Sequence, residues 1–258
     1  MKKNINRIIL IIGTLVGISI FLYLQNNLIS VSEIKTTSSK IPSSFKGYKI
    51  LQLSDLHNKK FGDNQDVLIK KVKSIKPDII TITGDLIDSK SYDAEVSLQV
   101  IRELVKEYPV YFVTGNHEKW SGKYSSLEKE LKKNHVTVLR NEHINIQKDG
   151  QEIYLLGIDD PEFTSGNHNE GSIVKNEIVK VKNEVNPDGY KVLLSHRPEF
   201  LLPFIGGLVA PNQGILPKYT AGLYMKQNTS MIVSRGLGNS IIPQRIFNRP
   251  EIVVVQLN

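Results

Sequence analysis

The 258-residue sequence predicts an α/β protein carrying an N-terminal transmembrane helix, and three observations predict it. Short β-branched runs alternate with amphipathic stretches from Tyr48 onward, the pattern of a parallel sheet covered by helices. An Asp-Gly pair between two apolar runs adds an antiparallel hairpin. The first thirty residues form a separate, far more apolar unit. With 40% apolar and 23% charged residues over its full length, the chain can bury a full core, which excludes a disordered or fibrous protein.

In order, Lys2, Lys3 and Arg7 precede the uncharged run from Ile8 to Leu24, seventeen residues that span about 25 Å as a helix. The alternative is a cleaved signal peptide, but no A-x-A-like site follows Leu24, only Gln25-Asn26-Asn27-Leu28-Ile29, which favours an uncleaved anchor. The basic flank leaves the short tail in the cytoplasm and everything after Leu24 outside it. The expected organisation is a tail and anchor over 1–29, a linker over 30–45 rich in Ser, Thr and Lys, and a domain over 46–258.

Within the domain, strands are expected at 48–53, 78–83 and 110–114. Helices at 64–75, 94–107 and 125–134 follow, with Leu68, Val72 and Ile75 sharing a face in the first. The runs around 144–146 and 153–158 flank Asp149-Gly150. A helix over 171–185 is stopped by Asn186-Pro187-Asp188-Gly189 and leads into a strand at 191–194. Further strands fall near 219–225, 231–234 and 251–257.

No cysteine is present, so disulfides, thiolate metal sites and cysteine nucleophiles are excluded. The net charge of +7 suits an anionic partner, yet it is scattered and lacks an aromatic-basic motif, so nucleic acid is not expected. Four strands instead end in residues competent for metal: Ser54-Asp55-Leu56-His57, Gly84-Asp85, Gly115-Asn116-His117-Glu118 and Ser195-His196. The carboxyl edge of an open sheet is where such folds place ligands. Carboxylates, an amide oxygen and imidazoles form a mixed O/N set suited to Mn, Fe or Zn. A carboxylate such as Asp85 could bridge two cations, the arrangement used in phosphoester hydrolysis. Gly84 and Gly115 would let the backbone turn sharply before these residues.

These motifs, with Ser195-His196-Arg197-Pro198-Glu199 and in this order, resemble the calcineurin-like metallophosphoesterases, in particular their membrane-associated bacterial members. The resemblance runs from about Lys49 to the C-terminus. It implies a sandwich of two β-sheets flanked by helices, with two divalent metal ions at the strand ends. It further implies Asp55, His57 and Asp85 as ligands of one metal, Asp85, Asn116 and His196 as ligands of the other, and His117 as the catalytic residue that steadies the transition state or protonates the leaving oxygen. The expected partner is a phosphomono- or diester, lipid-linked substrates included.

The sequence departs from the family in lacking a Gly-His-x-His motif, whose two histidines would complete the metal shells. The simplest account is an internal deletion near residues 200–201. It sets a second expectation beside the hydrolase: a degenerate member that keeps the scaffold without catalysis. Of the remaining histidines, His135 and His143 read as surface residues and His168 as a loop residue able to swing toward a metal. The uncharged segment Leu201 to Pro217 reads either as core or as a loop meeting lipid. Trp120 either flanks the cleft or packs.

Overall fold

The computed structural model describes residues 2–164, 170–201, 221–226, 228–239 and 243–258. Helix α1 (Lys2–Asn27) exposes its apolar side chains along most of its length and is long and apolar enough to cross a membrane. Strand β1 (Ser30–Thr36) follows within three residues, then β2 (Lys49–Leu53), α2 (Asp66–Ile75), β3 (Ile79–Thr83), α3 (Ala94–Leu104), β4 (Val110–Val113), a short α4 (Asn116–Trp120), α5 (Tyr124–Lys133) and β5 (Thr137–Val138). The chain continues through β6 (Glu142–Lys148), β7 (Gln151–Gly157), α6 (Glu170–Asn183), β8 (Lys191–Leu194), β9 (Gly222–Lys226), β10 (Thr229–Val233) and β11 (Glu251–Leu257).

Two sheets stack. The larger has the order β1-β11-β2-β3-β4-β5, parallel from β2 to β5, with β11 antiparallel to β2. The smaller has the order β6-β7-β8; Asp149 and Gly150 close its hairpin with left-handed backbone at φ 49 and 75. Every residue of β3 is buried because both of its faces are covered. On one face Ile80, Ile82 and Phe112 pack with Leu68, Ile101 and Leu127 of the helices. On the other, Ile50, Ile79, Tyr111 and Val113 meet Ile146, Ile153, Leu155 and Leu194 of the second sheet. Helix α6 closes the far side of that sheet through Val174, Ile178 and Val181 against Tyr154 and Leu156. The result is helix, sheet, sheet, helix: a two-sheet sandwich flanked by helices.

Three expectations need correction. The segment expected as a linker contains β1, paired in parallel with β11 from Ser30–Glu251 to Thr36–Leu257. Its polar residues concealed it, since an edge strand half open to solvent needs few apolar side chains. The strand at 191–194 is not in the large sheet with the other three; it lies parallel to β7 in the second sheet. Finally, Gly115 has no left-handed backbone. It is needed for space, because a Cβ there would meet Asp85 Oδ1 at 2.3 Å, whereas Gly84 does adopt a φ of +83.

Candidate metal centre

The carboxyl ends of β2, β3 and β4 turn abruptly, and the first residues past the turns carry the polar groups. Asp55, His57 and Asp85 all sit in the left-handed region, at φ 52, 46 and 51. Such backbone costs on the order of 1 kcal/mol or more per non-glycine residue and persists only where surrounding bonds enforce it. Here Asp55 N–H donates to Gly84 O and His57 N–H to Asp85 O, each at 3.1 Å, locking the two loops together.

All six residues singled out from the sequence meet at one place. His57 Nε2 stands 3.7 Å from Asp55 Oδ1 and 3.5 Å from Asp85 Oδ2. The same Asp85 oxygen lies 3.4 Å from His196 Nε2, which is 3.1 Å from Asn116 Oδ1. His196 is held from behind by Thr83 O at 2.9 Å from Nδ1. The His117 ring lies 4.5 Å from that of His57, centroid to centroid, and its backbone N–H donates to Asp85 Oδ1 at 2.9 Å. Although β8 belongs to the other sheet, sandwich packing brings its carboxyl end to the same edge.

These separations fit a cation. Donors about 2.1 Å from a tetrahedral zinc ion lie about 3.4 Å apart, longer than an ordinary hydrogen bond and close to the spacing of Asp85 to its two histidines. His57 Nδ1 is buried without a hydrogen-bond partner. Asp55, His57 and Asp85 place one ligand atom each within 4.8 Å of one another. The electrostatics agree: burial raises the Asp55 carboxyl, but His57, His196 and the Ser54 hydroxyl outweigh it and hold it at about 2. Burial lowers His196, and Asp85, Asp55 and Asp160 more than reverse that, raising it well above its ordinary value. A divalent cation would take over the positive charge these imidazoles supply, releasing protons as it binds.

Several residues around the site were not assigned a role from the sequence. Glu118 is fully buried and its carboxylate accepts from Asp85 N–H at 2.8 Å, Leu86 N–H at 2.9 Å and Gly115 N–H at 2.7 Å, tying the β3 and β4 turns into one unit. Burial and then Asp85 push it up to about 7, against the amides that stabilise its charge. Asp88 Oδ2 lies 3.6 Å from His117 Nδ1 and 4.0 Å from His57 Nδ1. Its other oxygen accepts from the backbone of Lys90 and Ser91, so the carboxylate is fixed in place. Ser89 N–H donates to His117 Nδ1 at 3.1 Å. In a neutral ring that leaves the proton on Nε2.

Gly236 and Gly238 close over the other side. A Cβ at Gly238 would meet Leu56 O at 2.2 Å and Asp55 O at 2.7 Å. Gly238→Ala is therefore expected to destabilise the protein by about 1–3 kcal/mol through overpacking and to displace Asp55. Thermal melts with and without Mn²⁺ check this: the variant should melt lower and gain less from the cation than wild type. The signal legible in the sequence was Gly-Leu-Gly after an apolar run, which spacing alone does not connect to Asp55.

Trp120 is 55% exposed with its ring 5.3 Å from that of His117, so it flanks the site instead of packing in the core. His135 is exposed, and half-buried His143 lies 3.4 Å from Glu184, far along the chain from the centre. His168 and the uncharged segment past Leu201 lie outside the described residues.

Residues 48–221 match the sequence model of the calcineurin-like phosphoesterases. The chain is 28% identical over 253 residues to the uncharacterized metallophosphoesterase YkuE of Bacillus subtilis (strain 168), covering 91% of this chain and 87% of that protein. It is 28% identical over 250 residues to a Bos taurus transmembrane protein with metallophosphoesterase domain, covering 86% of this chain and 56% of that one. Among solved structures, a phosphopantetheinyl hydrolase from Mycobacterium tuberculosis aligns at 14% identity and a TM-score of 0.41, over 63% of this chain and 72% of that one. The match spans well over half of the sequence: this chain belongs to the calcineurin-like phosphoesterase family.

Proposed function

We propose that the protein is a membrane-anchored phosphoesterase that hydrolyses phosphomono- or diesters with two divalent cations, of the Mn, Fe or Zn kind. The observation that carries this reading is the position of Asp85 Oδ2, 3.5 Å from one imidazole and 3.4 Å from another. Asp55, His57 and Asp85 would hold one cation, and Asp85, Asn116 and His196 the other. Divalent cations so placed neutralise phosphate oxygens and acidify water.

The chain's own groups do the rest. Asp85 keeps the two ligand sets in register and its second oxygen holds the His117 backbone. His117 points an Nε2–H at the ester, where it donates to the oxygen on which charge develops. Ser89 N–H and Asp88 fix that ring. The Trp120 ring shields one side of it from water. His117→Asn is expected to lower turnover by about 10²- to 10⁴-fold while leaving bound metal unchanged. A joint assay of p-nitrophenyl phosphate hydrolysis and metal content checks this; loss of metal together with activity would instead make His117 a ligand.

The alternative, a degenerate scaffold, is favoured by the lack of Gly-His-x-His among only six histidines. Elemental analysis of the purified full chain after incubation with Mn²⁺ and gel filtration separates the two readings. Two cations per chain with Mn²⁺-dependent turnover support the hydrolase. A folded chain retaining none supports the scaffold.

The anchor reading rests on α1 and its exposed apolar side chains. With Lys2, Lys3 and Arg7 on the cytoplasmic side, the catalytic domain lies outside the cytoplasm.

A further inference from the structure

Helix α1 does not hang free of the domain. Only Leu28 and Ile29 separate it from β1, and its last turns are bound to the segment 243–248 by a set of specific contacts. Asn26 Nδ2 donates to Pro243 O at 3.0 Å, and Asn26 Oδ1 accepts from Arg245 N–H at 2.8 Å. Gln244 Nε2 donates to Leu22 O at 3.0 Å, and Phe247 N–H to Gln25 Oε1 at 3.1 Å. The Phe247 ring meets that of Phe21 edge-on, 5.8 Å between centroids. Even so, Phe247 is 83% and Ile246 53% exposed.

Position along α1 gives these two side chains a depth. Phe21 lies inside the uncharged run that ends at Leu24, about 4.5 Å from its end at 1.5 Å per residue. A helix that spans the bilayer with that run therefore carries the Phe247 ring below the lipid surface, at the depth where interfacial apolar side chains settle. The same segment is wired to the metal centre. Arg245 donates to Gly238 O and Arg235 O, Gly238 N–H donates to Asp55 O, and Lys59 Nζ bridges Asn26 O and Asn239 Oδ1.

We propose that Ile246 and Phe247 form a wedge that enters the lipid beside α1 and holds the metal centre at the headgroup layer, where its substrate is a phosphoester of a membrane lipid. The occupant of this apolar patch is the bilayer surface, because the patch is continuous with the span itself. The inference rests on the membrane-anchor reading, and its substrate half also rests on the hydrolase reading.

The test uses the full chain in phosphatidylcholine–phosphatidylglycerol vesicles. In a Trp120→Phe background, which removes the single native tryptophan, Phe247→Trp and Phe21→Trp are compared for quenching by brominated lipid and by aqueous iodide. The expected result is bromolipid quenching of both, with iodide protection of both. Quenching at position 21 but not at 247 overturns the wedge and spares the anchor. Iodide protection at 247 without bromolipid quenching means a second protein copy covers the patch, and also overturns it. Quenching at neither position overturns the anchor and the wedge together.

For the substrate half, Ile246→Ser/Phe247→Ser is assayed against phosphatidic acid in the vesicles and soluble p-nitrophenyl phosphate. A fall of about 10-fold or more on the lipid with the soluble rate unchanged is expected. Equal rates on both, relative to wild type, overturn it. If wild type turns over the soluble ester but never the lipid, the substrate half fails and the hydrolase reading stands; if it turns over neither, both fail.

Discussion

Asp85→Asn is expected to remove metal-dependent hydrolysis and most bound metal from a chain that still folds. The substitution keeps the size of the side chain and changes two things. It removes the negative charge that faces His57 and His196 at 3.5 and 3.4 Å, and it replaces one oxygen by an amide nitrogen that cannot ligate a cation. Loss of an outer contact to a metal ligand typically costs 10- to 100-fold in affinity or activity, so loss of a carboxylate that would be shared by both cations of the proposed centre is expected to exceed about 100-fold. The remaining oxygen can keep the 2.9 Å bond from the His117 backbone, so the loop geometry should survive. Elemental analysis, p-nitrophenyl phosphate turnover and a melting curve on the same sample check all three parts. Retained metal and turnover would show that Asp85 is not the shared ligand.

Glu118→Ala is expected to act on stability first and on the site second. Its carboxylate accepts from four buried backbone N–H groups, three of them close, of Asp85, Leu86 and Gly115 at 2.7–2.9 Å, and that of Ile87 at 3.4 Å. Leaving a buried donor unsatisfied costs about 1–3 kcal/mol, so three orphaned donors give an expected loss of about 3–6 kcal/mol once some relax toward water. That is a large share of the 5–15 kcal/mol that holds a typical domain together. Denaturant unfolding measures it. Excess Mn²⁺ should restore part of the loss, since a bound cation holds the same two turns together from the other side. A loss below about 1 kcal/mol would mean that other groups carry those turns.

Legibility in the sequence followed physical range. Ile79–Thr83 is visible as a strand because all five residues are β-branched and none is charged, as a run buried on both faces requires, and α2 because Leu68, Val72 and Ile75 repeat at helical spacing. Asp149-Gly150 announces its hairpin because both residues must take left-handed backbone. In contrast, β1 escaped notice because a polar edge strand looks like a tether, and the two-residue β5 is too short to leave a pattern. The five-residue α4 was missed because Asn116 and His117 read as a strand's end, and only Glu118 bonding back to Gly115 N–H makes it a capped helix.

The sequence by itself determined the chemistry on offer: an O/N ligand set without cysteine, placed at strand ends by local hydrophobic pattern, behind an apolar span. These properties depend on residues near one another in the chain. Only the tertiary structure decided that His196 comes from a second sheet to reach the Asp85 oxygen already faced by His57. It also decided that Glu118 bolts two turns together, that Gly238 seats Asp55, and that the loop around Phe247 packs on the N-terminal apolar helix. Each of those contacts joins segments separated by tens to hundreds of residues, and pairing at such range is set by how layers stack and which backbone donors need partners, which no local periodicity encodes.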